Sequence, residues 1–147
     1  MIREKVLPKD INKKMPSVVK RLEQLGYINA LFFFGGFVRQ GLKPLSDIDI
    51  AVLFTDEVEK KVYPDLQVEL AGIIEDTIRT EEFDLIILNN APLSFAYRIL
   101  RDGMLVFAKN RAQLIDFREM IIKYHLDFQF YRKIFDKSFL EKVGYHG

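Results

Sequence analysis

Apolar positions recur along this chain with two different periods, and the switch between them outlines the elements. Val18, Val19, Leu22 and Leu25 recur at helical spacing, which predicts a helix from about residue 16. Ser17 is placed to cap it, or Pro16 to occupy its first turn, and Gly26 suits its exit. A short aromatic-rich run over about 30–34, closed by glycine, predicts a buried strand. Residues 36–41 have room for a single helical turn, 43–45 for an extended approach, and 48–54 read as a second strand. A charged connection over 55–61 leads into a helix over 63–79, with Leu66, Leu70, Ile73, Ile74 and Ile78 on its buried side. The run 83–88 predicts a third strand, 93–101 a short helix that stops at Gly103, and 104–108 a further β-like segment.

The last segment, over about 111–139, predicts a long helix with a possible break near its end. Leu114, Phe117, Ile121, Tyr124, Phe128, Tyr131 and Phe135 follow one another at alternating spacings of three and four, a heptad-like stripe. Ile115, Ile122, Leu126, Phe130 and Ile134 widen it beyond what one docking surface uses. Such a stripe either covers one side of the sheet or forms an interface, with self-association and docking of another protein both open. The expected fold class is α/β: a small mixed β-sheet packed with helices and a long C-terminal helix. One domain over 1–147 is expected, with 111–139 as its helical extension.

Composition narrows the function classes. Lys and Arg total 22 against 21 for Asp and Glu, so the formal charge of +1 gives no footprint for nonspecific nucleic-acid binding. The absence of cysteine removes disulfides and thiolate zinc sites from consideration. No apolar run reaches the roughly 20 residues a membrane span needs, and residues 1–5 lack the apolar core of a signal peptide. No membrane association is expected, and the expected location is the cytoplasm.

The candidate chemistry lies where the second strand begins. On a strand, residues two apart share a face, so Asp47 and Asp49 are expected to present their carboxylates side by side. Aspartates there also serve as ordinary turn and cap residues. Asp84 stands at the start of an apolar run, a poor place for a solvated charge. If its strand pairs beside the second, three carboxylates converge at one edge and suit hard cations such as Mg²⁺. A two-metal site would clamp the attacking and leaving oxygens. Gly35 and Gly36 allow close backbone approach to a phosphate, or simply a tight turn. Arg39 reaches either a triphosphate or a bracing carboxylate, and Ser46 either orients Asp47 or makes a turn. His125 and His146 lack metal-ligand spacing, with His125 expected on the helix surface or at an interface.

The segment Phe34-Gly35-Gly36-Phe37-Val38-Arg39-Gln40-Gly41, followed by Ser46-Asp47-Ile48-Asp49, resembles the signature of the minimal nucleotidyltransferases of the DNA polymerase β-like superfamily. The family pattern is Gly-Ser, ten residues, then Asp-x-Asp, with a third Asp on a later strand. Ten residues separate Gly36 from Asp47 here, and Asp84 matches the third carboxylate. Gly36 stands where the family has serine, and Gln40 where a glycine is usual. The stretch Ile99-Leu100-Arg101-Asp102-Gly103-Met104-Leu105-Val106-Phe107 and the aromatic helix with Tyr124-His125-Leu126-Asp127-Phe128 are similar to one branch, the antitoxins encoded beside HEPN-domain toxins.

That resemblance implies Mg²⁺-dependent transfer of AMP from ATP to a hydroxyl of a partner, a tyrosine of a HEPN-type toxin. Asp47, Asp49 and Asp84 would hold the metals, Asp84 would assist deprotonation of the acceptor, and Gly35, Gly36, Arg39 and Ser46 would bind the nucleotide. Two rival readings are an antitoxin that acts by binding alone and nucleotidyl transfer to a small molecule. The missing serine hydroxyl favours the first, and the three carboxylates oppose it. The second is expected to need an additional acceptor-binding domain.

Overall fold

A computed structural model of the protein describes residues 11–35 and 48–144. Four strands form one sheet in the order β3-β2-β1-β4, where β1 is Ile28–Phe34, β2 Ile48–Phe54, β3 Phe83–Ile87 and β4 Met104–Ala108. β1 runs antiparallel to both β2 and β4, whereas β2 and β3 are parallel. A parallel pair needs a crossover, and the helix α2, Tyr63–Ile78, supplies it. The other helices among the described residues are α1 (Ile11–Glu23), α3 (Leu93–Asp102) and α4 (Arg111–Lys142).

The period of two along β2 divides its side chains between two cores. Ile48, Ile50, Val52 and Phe54 face α1 and α2, packing with Val18, Leu22, Leu70, Ile74 and Ile78. Ala51 and Leu53 face the opposite side, where Ile99 and Leu100 of α3 and Leu114 and Ile121 of α4 cover them. The small side chains of Ala30, Ala51 and Ala96 on that second face leave room for α3 to lie close to the sheet.

Helix α1 begins at least five residues earlier than the sequence pattern predicts, and Pro16 lies inside it. A proline there removes one backbone hydrogen bond near the N-terminal end, a modest loss against the burial of Met15, Val18 and Leu22. The turn expected at 36–41 and the approach at 43–45 lie outside the described residues. β3 ends at Ile87, one residue before the predicted limit, because Leu88–Asn90 tighten into a single 3-10 turn. That turn lets Asn89 clamp Phe54: its Oδ1 accepts from the Phe54 N–H at 2.8 Å, and its Nδ2 donates to the Phe54 carbonyl at 3.3 Å.

Helix α4 is continuous over 32 residues, without the break that the sequence suggested. At 1.5 Å per residue it is about 48 Å long. Its start is fixed by Asn29, a fully buried polar residue of β1. Asn29 Oδ1 accepts from the Asn110 N–H, and its Nδ2 donates to the Asn110 carbonyl at 3.0 Å. Asn110 in turn caps the helix, its side chain accepting from the Gln113 N–H at 3.1 Å. Only the first half of α4 packs on the body. Leu114 and Ile121 are buried, and His125 stacks on Tyr97 of α3 with ring centroids 3.7 Å apart. Beyond that stack the apolar side chains of the helix are exposed: Leu126, Phe128, Phe130, Tyr131, Ile134, Phe135 and Phe139 are each 48–69% accessible. No helix among the described residues is long and apolar enough to cross a membrane.

Candidate active site

The parallel register of β2 and β3 aligns Asp49 with Asp84. Both belong to the face that carries Ala51, Leu53 and Ile86, near the start of their strands. Neighbouring strands lie about 4.8 Å apart, so the two carboxylates stand side by side. Asp49 is half-buried and Asp84 is exposed. Two like charges at that spacing repel each other. A hard cation relieves the repulsion, and paired carboxylate oxygens are the donor set that Mg²⁺ takes.

On its other side Asp49 is paired with Phe34, the last residue of β1. Gly35 follows with φ of +73°, in the left-handed region. A Cβ built on Gly35 would fall onto the Asp49 carboxylate and lie 3.0 Å from its Cγ. Glycine is therefore required twice, by the backbone and by the carboxylate resting against it. Gly35→Ala is expected to cost about 1–2 kcal/mol from the backbone alone and to push the Asp49 carboxylate aside. Urea denaturation and a Mg²⁺-dependent nucleotide titration should both register the change. A variant with unaltered stability and binding would refute the tight packing of these two residues.

Of the residues expected at the site, the structure thus brings Asp49, Asp84 and Gly35 together. Gly36, Arg39, Ser46 and Asp47 lie outside the described residues. Among the described residues, no group of three or more His, Asp or Glu side chains converges as a metal site.

One part of this region was not singled out by sequence. Beside Gly35, on the side away from Asp84, a cavity of about 240 Å³ opens between β1 and α3. Phe34, Phe95 and Ile99 give it apolar walls, Arg98 and Asp102 are its charged residues, and the backbone of Gly35 and Gly103 completes it. Phe34 and Phe95 meet edge to face, with centroids 5.8 Å apart at 85°. Asp102 is engaged by Arg101, whose Nε and guanidinium NH₂ donate to its two carboxylate oxygens at 2.9 and 2.8 Å. Those bonds raise the Arg101 pKa further above its ordinary value. The signal available in the sequence was the spacing of Phe95, Arg98 and Asp102 by three and then four residues, with Ile99 beside them, which puts them on one stripe of a short helix.

A family model described as polymerase beta, nucleotidyltransferase matches residues 17–112, about two thirds of the chain. The chain belongs to this nucleotidyltransferase family. The match runs from within α1 to the first turn of α4, so it takes in the sheet, the Asp49–Asp84 pair and the cavity. No curated protein matches the chain.

Solved structures share the fold at low identity. A chain of a toxin–antitoxin structure with AMP-PNP is 19% identical, with a TM-score of 0.63 over 87% of this chain and 97% of that one. A chain of the Shewanella oneidensis complex of a tri-AMPylated HEPN toxin with its MNT antitoxin is 18% identical, with a TM-score of 0.59 over 88% and 98%. A chain of a MntA–HepT toxin–antitoxin structure is 18% identical, with a TM-score of 0.55 over 90% and 99%.

Proposed function

We propose that this nucleotidyltransferase-family protein transfers AMP from ATP, with Mg²⁺, to a hydroxyl of a HEPN-type toxin, and so acts as the antitoxin of that protein. The observation that carries the reading is the in-register pair Asp49 and Asp84 beside Gly35. Asp49 and Asp84, with Asp47 by resemblance, would hold the metal, which when bound supplies charge neutralisation for the phosphates and polarises the reacting phosphoryl group. Gly35 exposes backbone to the phosphates, and Gly36, Arg39 and Ser46 are the further nucleotide contacts that the family signature proposes.

In the reaction the acceptor oxygen forms a bond to the α-phosphorus while the bond from that phosphorus to the bridging oxygen of the β-phosphate breaks. Pyrophosphate leaves, and the acceptor's proton passes to the Asp84 carboxylate. Asp84 suits that role because it is the exposed member of the pair, open to a protein hydroxyl that arrives from outside. Most of the catalysis then comes from positioning and charge stabilisation. The toxin as acceptor is supported by the exposed aromatic half of α4, which offers a protein-sized docking surface, and by the company of the structural neighbours.

A second reading is neutralisation by contact alone. The same exposed helix favours it, as does glycine at position 36 where the family has serine. The test is incubation with the product of the adjacent gene, labelled ATP and Mg²⁺, followed by intact-mass analysis of the partner. Transfer predicts a partner heavier by one or more AMP groups, abolished by EDTA. A tight complex with no mass change would sink the transfer reading and leave the contact reading standing.

A further inference from the structure

The cavity between β1 and α3 has no part in the chemistry assigned so far. We infer that it receives the nucleoside end of the nucleotide, with the base stacked on Phe95 and held by Arg98, so that these two residues set nucleotide affinity. The inference rests on the nucleotidyl-transfer reading and adds to it the residues that grip the non-reacting part of the substrate.

Size is the first argument. Whole ligand sites run to roughly 300–1,000 Å³, and this cavity, about 240 Å³, fits a part of a nucleotide rather than all of it. The lining is the second. Aromatic walls and a guanidinium are the surfaces on which bases stack, and both tolerate any base because each base has a π-face. Arg98 is exposed and makes no ion pair among the described residues, whereas Arg101 on the same helix is tied to Asp102. One cation of α3 is thus held in place, and the other is available to a ligand.

Position is the third argument, and it separates nucleotide from acceptor. Across the sheet the order is Asp84 on β3, Asp49 on β2, Gly35 after β1, and then the cavity. Asp84, which takes the acceptor's proton, is at the far end of this row. An acceptor hydroxyl therefore approaches from the β3 side. The nucleoside lies on the other side, with its phosphates passing Gly35 to reach Asp49. An acceptor ring in the cavity would be two strand spacings, about 10 Å, from the carboxylate that is to receive its proton.

The experiment uses the full chain, with Mg²⁺, and two probes: a non-hydrolysable ATP analogue and inorganic tripolyphosphate, each by calorimetric titration. Phe95→Ala is expected to weaken the analogue roughly ten- to hundred-fold and to leave tripolyphosphate unchanged, while Phe95→Tyr retains binding. Arg98→Ala, at an exposed position that the fold does not need, is expected to weaken the analogue about three- to thirty-fold. Equal losses for both probes would place phosphates in the cavity and overturn the inference. So would unchanged analogue binding in both alanine variants, especially if the KM for the partner protein rises instead. If the unaltered protein binds neither probe, the nucleotidyl-transfer reading itself fails, a result distinct from the failure of the cavity assignment.

Discussion

Asp84→Asn is expected to lower AMP transfer by roughly 10²–10³-fold without lowering the stability of the metal-free protein. The two parts of that expectation have one cause. Asp84 lies opposite Asp49 across a parallel pair and is exposed, so its charge gains nothing from that neighbour and suits a cation or a proton. Amide for carboxylate removes the repulsion, while it deletes the proposed metal ligand and the proposed proton acceptor together. Single-turnover kinetics and urea denaturation measure the two halves separately. A residue held for structure would show the reverse, with lost stability and retained turnover. Asp84→Asn with full activity would remove this carboxylate from the site.

Phe130→Glu and Leu126→Glu are expected to weaken binding of the partner protein by about thirty-fold or more, the effect of losing a hot spot of some 2 kcal/mol. Nucleotide binding should not change, because the Asp49–Asp84 pair and the cavity lie on β1, β2, β3 and α3. Phe130 is 61% exposed and Leu126 56% exposed, so neither substitution disturbs the packing of this chain. Large rings left in water on a protruding helix serve an interface. Four of them, Tyr124, Phe128, Tyr131 and Phe135, lie on the stripe that continues from Leu114 and Ile121, and at about 150–250 Å² each they supply much of the roughly 800 Å² per partner that a stable contact needs. Surface plasmon resonance against the partner, with circular dichroism as the folding control, decides it. Unchanged affinity in both variants would refute the docking role of this half of the helix.

The elements legible in the sequence were those with clear punctuation at their starts. β2, α3 and β4 begin where the pattern places them because Asp47-x-Asp49, Pro92 and Gly103 punctuate the chain beside them. The parallel pairing of β3 with β2 was only conditional in the sequence, since Asp84 on an apolar run implies a neighbour without naming it. α1 was underestimated because Pro16 signals a helix start locally, whereas the burial of Met15 one residue before it favours helix through that point. The stripe on α4 left two readings open, sheet cover or interface. The first half of the helix covers the sheet and the second half is exposed, the half for which docking is proposed, and periodicity alone has no means to say where the sheet ends beneath it. The cavity was missed for a related reason. Phe95 and Arg98 are ordinary residues of a short amphipathic helix until β1 and Gly35 are placed opposite them.

Helix α3 has one further consequence. One side of its ten residues borders the cavity through Phe95, Arg98 and Asp102, and the other meets α4 through Leu100 and the stack of Tyr97 on His125. The two binding events proposed for this chain are therefore joined by three helical turns. Free-energy linkage makes such a joint symmetrical. Any factor by which a docked partner tightens or loosens the grip on nucleotide must reappear, unchanged, as the factor by which nucleotide alters the grip on the partner. A cell's ATP level would then be read directly in how firmly the partner is held.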